Sequence, residues 1–167
     1  MQSFTIDFSI ILLLILANGL FVMSELAIVS ARKVRLQQSA NQGDTGARKA
    51  LRLAEEPNNF LATVQIGITL IGIIAGAFGE AALSRRIEPL IQGIPIISGY
   101  SQAIAFGIGV LIITYLTLIV GELVPKRLAL NSPERIASVA SIPMAVLAKI
   151  GAPVVGSWEF DLRMNPK

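Results

Sequence analysis

From Pro89 to Gly121 the sequence contains no charged residue, and two further stretches come close to it. Pro57 to Gly79 is uncharged, and Phe8 to Val29 carries only Glu25. Each reaches or exceeds the ~20 predominantly apolar residues that carry an α-helix across the hydrocarbon core of a bilayer. Over the whole chain 53% of the 167 residues are hydrophobic and only 15% are charged, a balance that suits lipid better than water as the surrounding solvent. The expected fold is an all-α membrane protein with three transmembrane helices, joined by juxtamembrane and interfacial helices.

The ends of these runs carry helix signals. Glu55-Glu56-Pro57 opens the second span, since acidic side chains favour the positive end of a helix dipole and proline is tolerated in the first turn. The run from Pro89 is too long for one straight helix, and Gly93, Pro95 and Gly99 break its early part into a loop or short turn, which leaves a third span over about Ser101 to Val124. A fourth apolar stretch, Ser138 to Trp158, is interrupted by Pro143, Lys149, Gly151 and Pro153. Its pieces are too short to span and suit interfacial or re-entrant helices. Residues 1–157 therefore read as one membrane domain, and 158–167 as a polar tail or a truncated linker. The first span, with Asp7 as the one charge before it and no small-residue cleavage site after it, reads as a retained anchor.

Between spans one and two lie Arg32, Lys33, Arg35, Arg48, Lys49 and Arg52, and Lys126, Arg127 and Arg135 follow span three, whereas Arg85 and Arg86 alone separate spans two and three. The positive-inside bias then puts the N-terminus outside and the C-terminus in the cytoplasm of a plasma membrane, in agreement with an odd number of spans. Ala31 to Leu53 mixes apolar and charged residues around a turn at Asn41-Gln42-Gly43-Asp44 and reads as a juxtamembrane helical pair. Asn131-Ser132-Pro133 breaks the segment after span three, with serine placed to cap a helix that opens on proline. The resulting basic collar points to anionic membrane lipids as partners; no interleaving of aromatic and basic residues argues for nucleic acid.

Cysteine and histidine are both absent, which excludes disulfides, soft-ligand metal sites and histidine-based proton transfer within this chain. No nucleophile-base pair, phosphate-cradling loop or paired-carboxylate site occurs, so no enzymatic activity is expected. Any metal ion must be held by oxygen.

An oxygen site is suggested where the third span ends, in GELVPKRLAL at 121–130. An ionisable group at that depth is a functional candidate by default. Pro125 has no N–H to give to the carbonyl four residues earlier, so the Gly121 oxygen is freed beside the Glu122 side chain. Glycine at 121 leaves room for a close approach, and a carboxylate beside a carbonyl suits a hard divalent cation. The alternative is that Glu122 reaches the cytoplasmic boundary and pairs with Lys126.

Span one adds Asn18, Ser24 and Glu25. Asn18 and Glu25 share a helical face but stand roughly 10 Å apart along it, so one dehydrated ion cannot touch both and two polar levels result. Helix-to-helix hydrogen bonding by Asn18 and Ser24 is the competing use. Span two places Gln65 and Thr69 one turn apart around Gly67, as possible lining of an oxygen-rich cavity. Gly72 and Gly76 form a small-residue pattern suited to close packing within or between subunits, and a homodimer is its natural use. Thr114 and Thr117 share a face with Gly121 but are expected to bond their own backbone.

These residues fall in three segments, ANGLFVMSELAIVSARKVRL at 17–36, TVQIGITLIGIIAGAFGE at 63–80 and GELVPKRLAL at 121–130. Through them the chain resembles the transmembrane domain of the CorC / cyclin M magnesium transporters. The resemblance implies a homodimer of three-span protomers attached to a cytoplasmic CBS-pair module that binds ATP with magnesium. It further implies Mg2+ efflux, with Na+ as the proposed exchange ion, from a site that all three spans line. Carried over by position, it assigns Glu122 and the Gly121 carbonyl to the third-span motif, and Ser24 and Asn18 to the polar first-span segment. Many relatives have serine where Asn18 and Val22 stand, and asparagine where Ile68 follows Gly67, so the contribution of spans one and two differs here. A bacterial inner membrane is the expected location. The rival to transport is a scaffold that senses Mg2+ or dimerises a cytoplasmic regulatory module without moving ions.

Overall fold

The computed structural model describes residues 2–55 and 57–147. Among them there is no strand. The helices in order are α1 (Gln2–Ser30), α2 (Lys33–Asn41), α3 (Thr45–Glu55) and α4 (Pro57–Gln92). A short 3₁₀ turn (Ser98–Tyr100) leads into α5 (Ser101–Leu118), a π-helical turn (Ile119–Leu123) and α6 (Val124–Asn131), and α7 covers 133–147.

Three helical stretches, Thr5–Ser30, Phe60–Gln92 and Ser98–Asn131, are long and apolar enough to cross a membrane. Their apolar side chains face outward to a degree no aqueous domain tolerates: Leu13, Ile73 and Leu111 are each about two-thirds exposed or more. Helices that are apolar all round and bury so little of themselves take lipid as their solvent.

Two boundaries differ from the expectation. Helix α4 runs thirteen residues past Gly79, the end of the uncharged stretch (92 − 79 = 13), and passes through Pro89. The charged residues beyond Gly79 extend the helix through bonds one turn apart. Ser84 Oγ donates to Glu80 Oε1 at 2.6 Å, Arg85 Nε to the Ala81 carbonyl at 3.0 Å, and Gln92 Nε2 to Glu88 Oε1 at 3.1 Å. Gly79 is a packing position, because a Cβ there would meet Ile113 Cδ1 at 2.5 Å. Likewise α7 continues through Pro143, where a break was expected. One proline removes one backbone donor, and the helix around it is held by the burial of Ala137, Ser141 and Met144. The breaks expected at Lys149, Gly151 and Pro153, and the tail 158–167, lie outside the described residues.

Other boundaries fall where the residues predict. Gly43, at φ +98°, makes the turn between α2 and α3, in the left-handed region that glycine enters without steric cost. The loop over 93–100 carries Gly93, Pro95 and Gly99. Ser132 separates α6 from α7, and its carbonyl accepts the Ile136 amide at 3.1 Å.

The chain groups into two compact units. The first comprises Met1–Gly19 and Thr69–Val124. Its core is formed by Ile11 and Ile15 of α1, Ala82 of α4 and Ile113 of α5, with Phe78, Leu83, Leu116 and Val120 packed against them. Gly109 of α5 packs on α4, where an added Cβ would lie 3.4 Å from the Glu80 carbonyl oxygen.

The second unit comprises Leu20–Ile68 and Pro125–Lys167. Its core includes Ala27 and Ile28 of α1, Leu36 and Ala40 of α2, Ala47 and Ala50 of α3, and Phe60 and Val64 of α4. Gly46 is pressed onto the Ser138 backbone of α7, with no space for a Cβ. Fully buried Ser141 shares its single proton between the Gly46 carbonyl at 2.7 Å and the Ser138 carbonyl at 2.8 Å. Asp44, which immediately precedes α3, accepts the Ala47 amide at 3.0 Å, and Ser138 Oγ lies 3.0 and 2.8 Å from its two oxygens. The Ala47 amide, then the Ser138 hydroxyl, hold the Asp44 carboxyl below its ordinary range, against a smaller opposing effect of desolvation.

Candidate functional site

At the end of the third span the helix changes pitch. The Val124 N–H donates to the Ile119 carbonyl, five residues back, and the turn Ile119–Leu123 is π-helical. Pro125 gives a physical reason for the change. In an α-helical continuation its ring would press on the Gly121 carbonyl, to which it has no N–H to donate, and a widened turn relieves that crowding. Widened turns of this kind are rare in α-helices and frequent at functional sites. The sequence pattern Gly-Glu-x-x-Pro foretells a freed carbonyl at 121; the change of helical register around it is visible only in the structure.

The Gly121 carbonyl is met by a side chain 103 residues away in sequence: Asn18 Nδ2 of α1 donates to it at 3.3 Å. Gly121 is buried, and a Cβ there would stand 3.3 Å from Asn18 Nδ2 and 3.5 Å from both Cγ2 and the carbonyl oxygen of Ile15. An added Cβ would be ordinary contact for Ile15 and would crowd only the Asn18 amide, by a few tenths of an ångström. Glu122, next in the π turn, is half-buried.

Two buried polar atoms of this unit have no hydrogen-bond partner among the described residues, Asn18 Oδ1 and Thr117 Oγ1. Asn18 is 5% exposed. Its amide orientation is settled by chemistry: reversed, it would set Oδ1 against the Gly121 oxygen, two acceptors in contact. Thr117 is one helical turn before Gly121. Its hydroxyl does not return to its own backbone, as threonine in a membrane helix commonly does and as was expected here. The signal available in the sequence was position alone, because Thr117 and Gly121 are four apart on one face.

The remaining candidates are distributed as follows. Ser24 is buried and donates to the Leu20 carbonyl of its own helix at 2.6 Å, and Glu25 beside it is half-buried. Gln65 and Thr69 are exposed on α4. Gly67 between them serves packing, since a Cβ there would lie 2.6 Å from Phe21 Cε1. Gly72 and Gly76 have open space above them, with nothing within 4 Å of an added Cβ. Among the described residues no group of three or more Asp, Glu, His or Cys could hold a metal ion. A cation bound at the π turn would therefore rely on one carboxylate supplemented by neutral oxygens of carbonyl, amide and hydroxyl groups.

Residues 9–163 match the family model for the cyclin M transmembrane N-terminal domain. The chain is similar to the UPF0053 protein sll0260 of Synechocystis, with 48% identity over 92% of this chain and 34% of that protein. It is also similar to the polyamine export protein of Haemophilus influenzae, with 33% identity over 93% of this chain and 35% of that protein. The UPF0053 protein YhdT of Bacillus subtilis is 34% identical over 78% of this chain and 28% of its own length. The chain thus spans about a third of the length of these relatives.

Proposed function

Since the chain belongs to the cyclin M transmembrane N-terminal domain family, we propose that it forms the membrane part of a transporter that exports Mg2+. Glu122 supplies the charged ligand, the Gly121 carbonyl and Asn18 supply neutral oxygens, and Thr117 adds a hydroxyl on the same face of the third span. The observation that supports this reading is the π turn, in which the Gly121 carbonyl has no N–H to receive from Pro125 and the acidic residue Glu122 is next in sequence. Mg2+ demands six oxygens near 2.1 Å and gives up water reluctantly. A single carboxylate cannot replace that shell, so the cargo either keeps several waters or draws further ligands from a second protomer.

In this reading the basic segment of α2 and α3 faces the cytoplasm of a plasma membrane, with anionic lipid beside it. Two protomers associate, and the open faces at Gly72 and Gly76 suit close helix contact. The greater length of the relatives leaves room for a cytoplasmic regulatory module such as a CBS pair. Na+ is the candidate exchange ion.

A second cargo has support of its own, because one relative is named a polyamine export protein. A carboxylate and a carbonyl accept N–H donors of an alkylammonium group as well as they ligate a metal. Flux into inverted liposomes carrying the intact protein, with Mg2+ and a linear polyamine offered separately and together, decides between them. The expected result is Mg2+ flux, accelerated by an opposing Na+ gradient and reduced at least tenfold by Glu122→Gln. Polyamine flux without Mg2+ flux would replace the cargo. Absence of both, with Mg2+-dependent dimerisation retained, would favour the scaffold.

A further inference from the structure

We propose that the Asn18 carboxamide is a two-position element of the site. In the arrangement described above its Nδ2 holds the Gly121 carbonyl; after a half-turn about χ2 its Oδ1 lies beside that carbonyl as a paired ligand for the cation. Loading of the site and rotation of this one side chain are then a single event. The inference rests on the reading of Gly121 and Glu122 as a cation site and adds how that site responds to its cargo.

Three observations support it. The Asn18 bond to Gly121 is 3.3 Å long, at the weak end for an N–H···O contact, so little holds the donor in place. Asn18 Oδ1 is buried and has no partner, so the other end of the same group carries a desolvation cost that a new contact would relieve. Finally, the two ends of a carboxamide are nearly equal in size. A half-turn therefore exchanges a donor for an acceptor with almost no change of volume, which matters for a side chain 5% exposed that shares its packing with Ile15.

The geometry suits the exchange. With Oδ1 in the place of Nδ2, two oxygens would stand about as far apart as the present 3.3 Å. Adjacent oxygens in an octahedral shell at ~2.1 Å are separated by √2 times that distance, ~3.0 Å. Two acceptors at that spacing repel each other when nothing lies between them and are drawn together by a shared cation. The same pair thus disfavours the turned position without cargo and favours it with cargo. A serine in place of Asn18 could offer a hydroxyl oxygen but not this reversal.

A passive role in holding α1 to the third span makes the opposite prediction, since the Asn18 bond would then persist through loading. Nuclear magnetic resonance on the intact protein in nanodiscs separates the two. The probes are the Asn18 side-chain ¹⁵N–¹H pair, assigned by its loss in Asn18→Ser, and the Gly121 ¹³C carbonyl, both followed as Mg2+ is added. The expected result is that the Gly121 carbonyl shifts, and that the Asn18 amide protons move upfield with the same midpoint as their bond to Gly121 is lost. A Gly121 shift with an unchanged Asn18 amide overturns the two-position proposal and leaves the cation site standing. If neither signal responds to Mg2+, the cation site itself fails, and the rotation with it.

Discussion

Asn18 Nδ2 lies 3.3 Å from the Gly121 carbonyl oxygen, a hydrogen bond that ties the first span to the π turn of the third. Gly121 leaves the approach uncrowded, so Gly121→Ala tests it directly. The added Cβ would stand 3.3 Å from Nδ2, the movable end of a side chain, and needs a displacement of only a few tenths of an ångström. Alanine also gains up to about 1 kcal/mol in helix propensity over glycine. Stability is therefore expected to change by less than about 1 kcal/mol, while Mg2+ affinity falls severalfold. Chemical denaturation in detergent and metal titration of the same variant report the two effects separately.

Pro125→Ala restores the missing N–H. The helix can then return to α register through 119–123, with a backbone donor for Gly121. Proline in a helix interior costs ~3 kcal/mol, part of which the widened turn already relieves, so a gain of about 1–3 kcal/mol in stability is expected. Transport should drop at the same time. An Ala variant that is both more stable and fully active would show that the π turn is not needed for transport.

Thr117 has a buried hydroxyl without a partner. Thr117→Val keeps the shape and removes the unsatisfied polar atom, which stabilises by about 1 kcal/mol if the hydroxyl serves no purpose in the folded protein. If it ligates or guides the cation, flux falls in a protein that is no less stable. Thermal unfolding and liposome flux measured side by side give the answer.

Gly46→Ala should be much more harmful than Gly121→Ala, although both are glycines in helices. At Gly46 the obstacle is the Ser138 backbone, which cannot rotate away. Helices α3 and α7 must separate, and the bond from Ser141 to the Gly46 carbonyl is disturbed with them. Overpacking of this kind costs about 1–3 kcal/mol and outweighs any gain in propensity. A rise in the unfolding midpoint would contradict the packing described for this pair.

Asp44 makes stability depend on pH in one direction. Its folded pKa is depressed, chiefly by the Ala47 amide and then by the Ser138 hydroxyl. The unfolded chain therefore takes up this proton first as pH falls. The contribution is fully present above the ordinary aspartate value of about 3.9 and is lost as pH drops below it through the folded pKa. Asp44→Asn should flatten the stability profile below about pH 4 and leave its slope above pH 5 unchanged.

Much of the architecture could be read from the residues because the signals are local. Uncharged runs marked the three spans, Pro57 opens α4, and Gln42-Gly43-Asp44 turns α2 into α3. Pro143 misled because a break signal acts through one or two backbone groups, and neighbouring contacts outweigh it: Ala137, Ser141 and Met144 anchor the helix around it. At the candidate site, Pro125 and Gly121 announced a freed carbonyl without revealing what would meet it.

Apolar length, the absence of soft metal ligands and the missing proline N–H are properties of the chain itself, and they hold whatever the helices do next. They make this an all-helical membrane domain with an oxygen-bearing weak point at residue 121. Which side chain reaches that oxygen, and which hydroxyl is buried without a partner, are matters of how α1, α4 and α5 pack. A hydrogen bond between residues 18 and 121 depends on rotation and depth of two helices far apart in sequence, and no local pattern encodes either. Only the folded arrangement turns a gap in one helix's bonding into a place where a second helix can act.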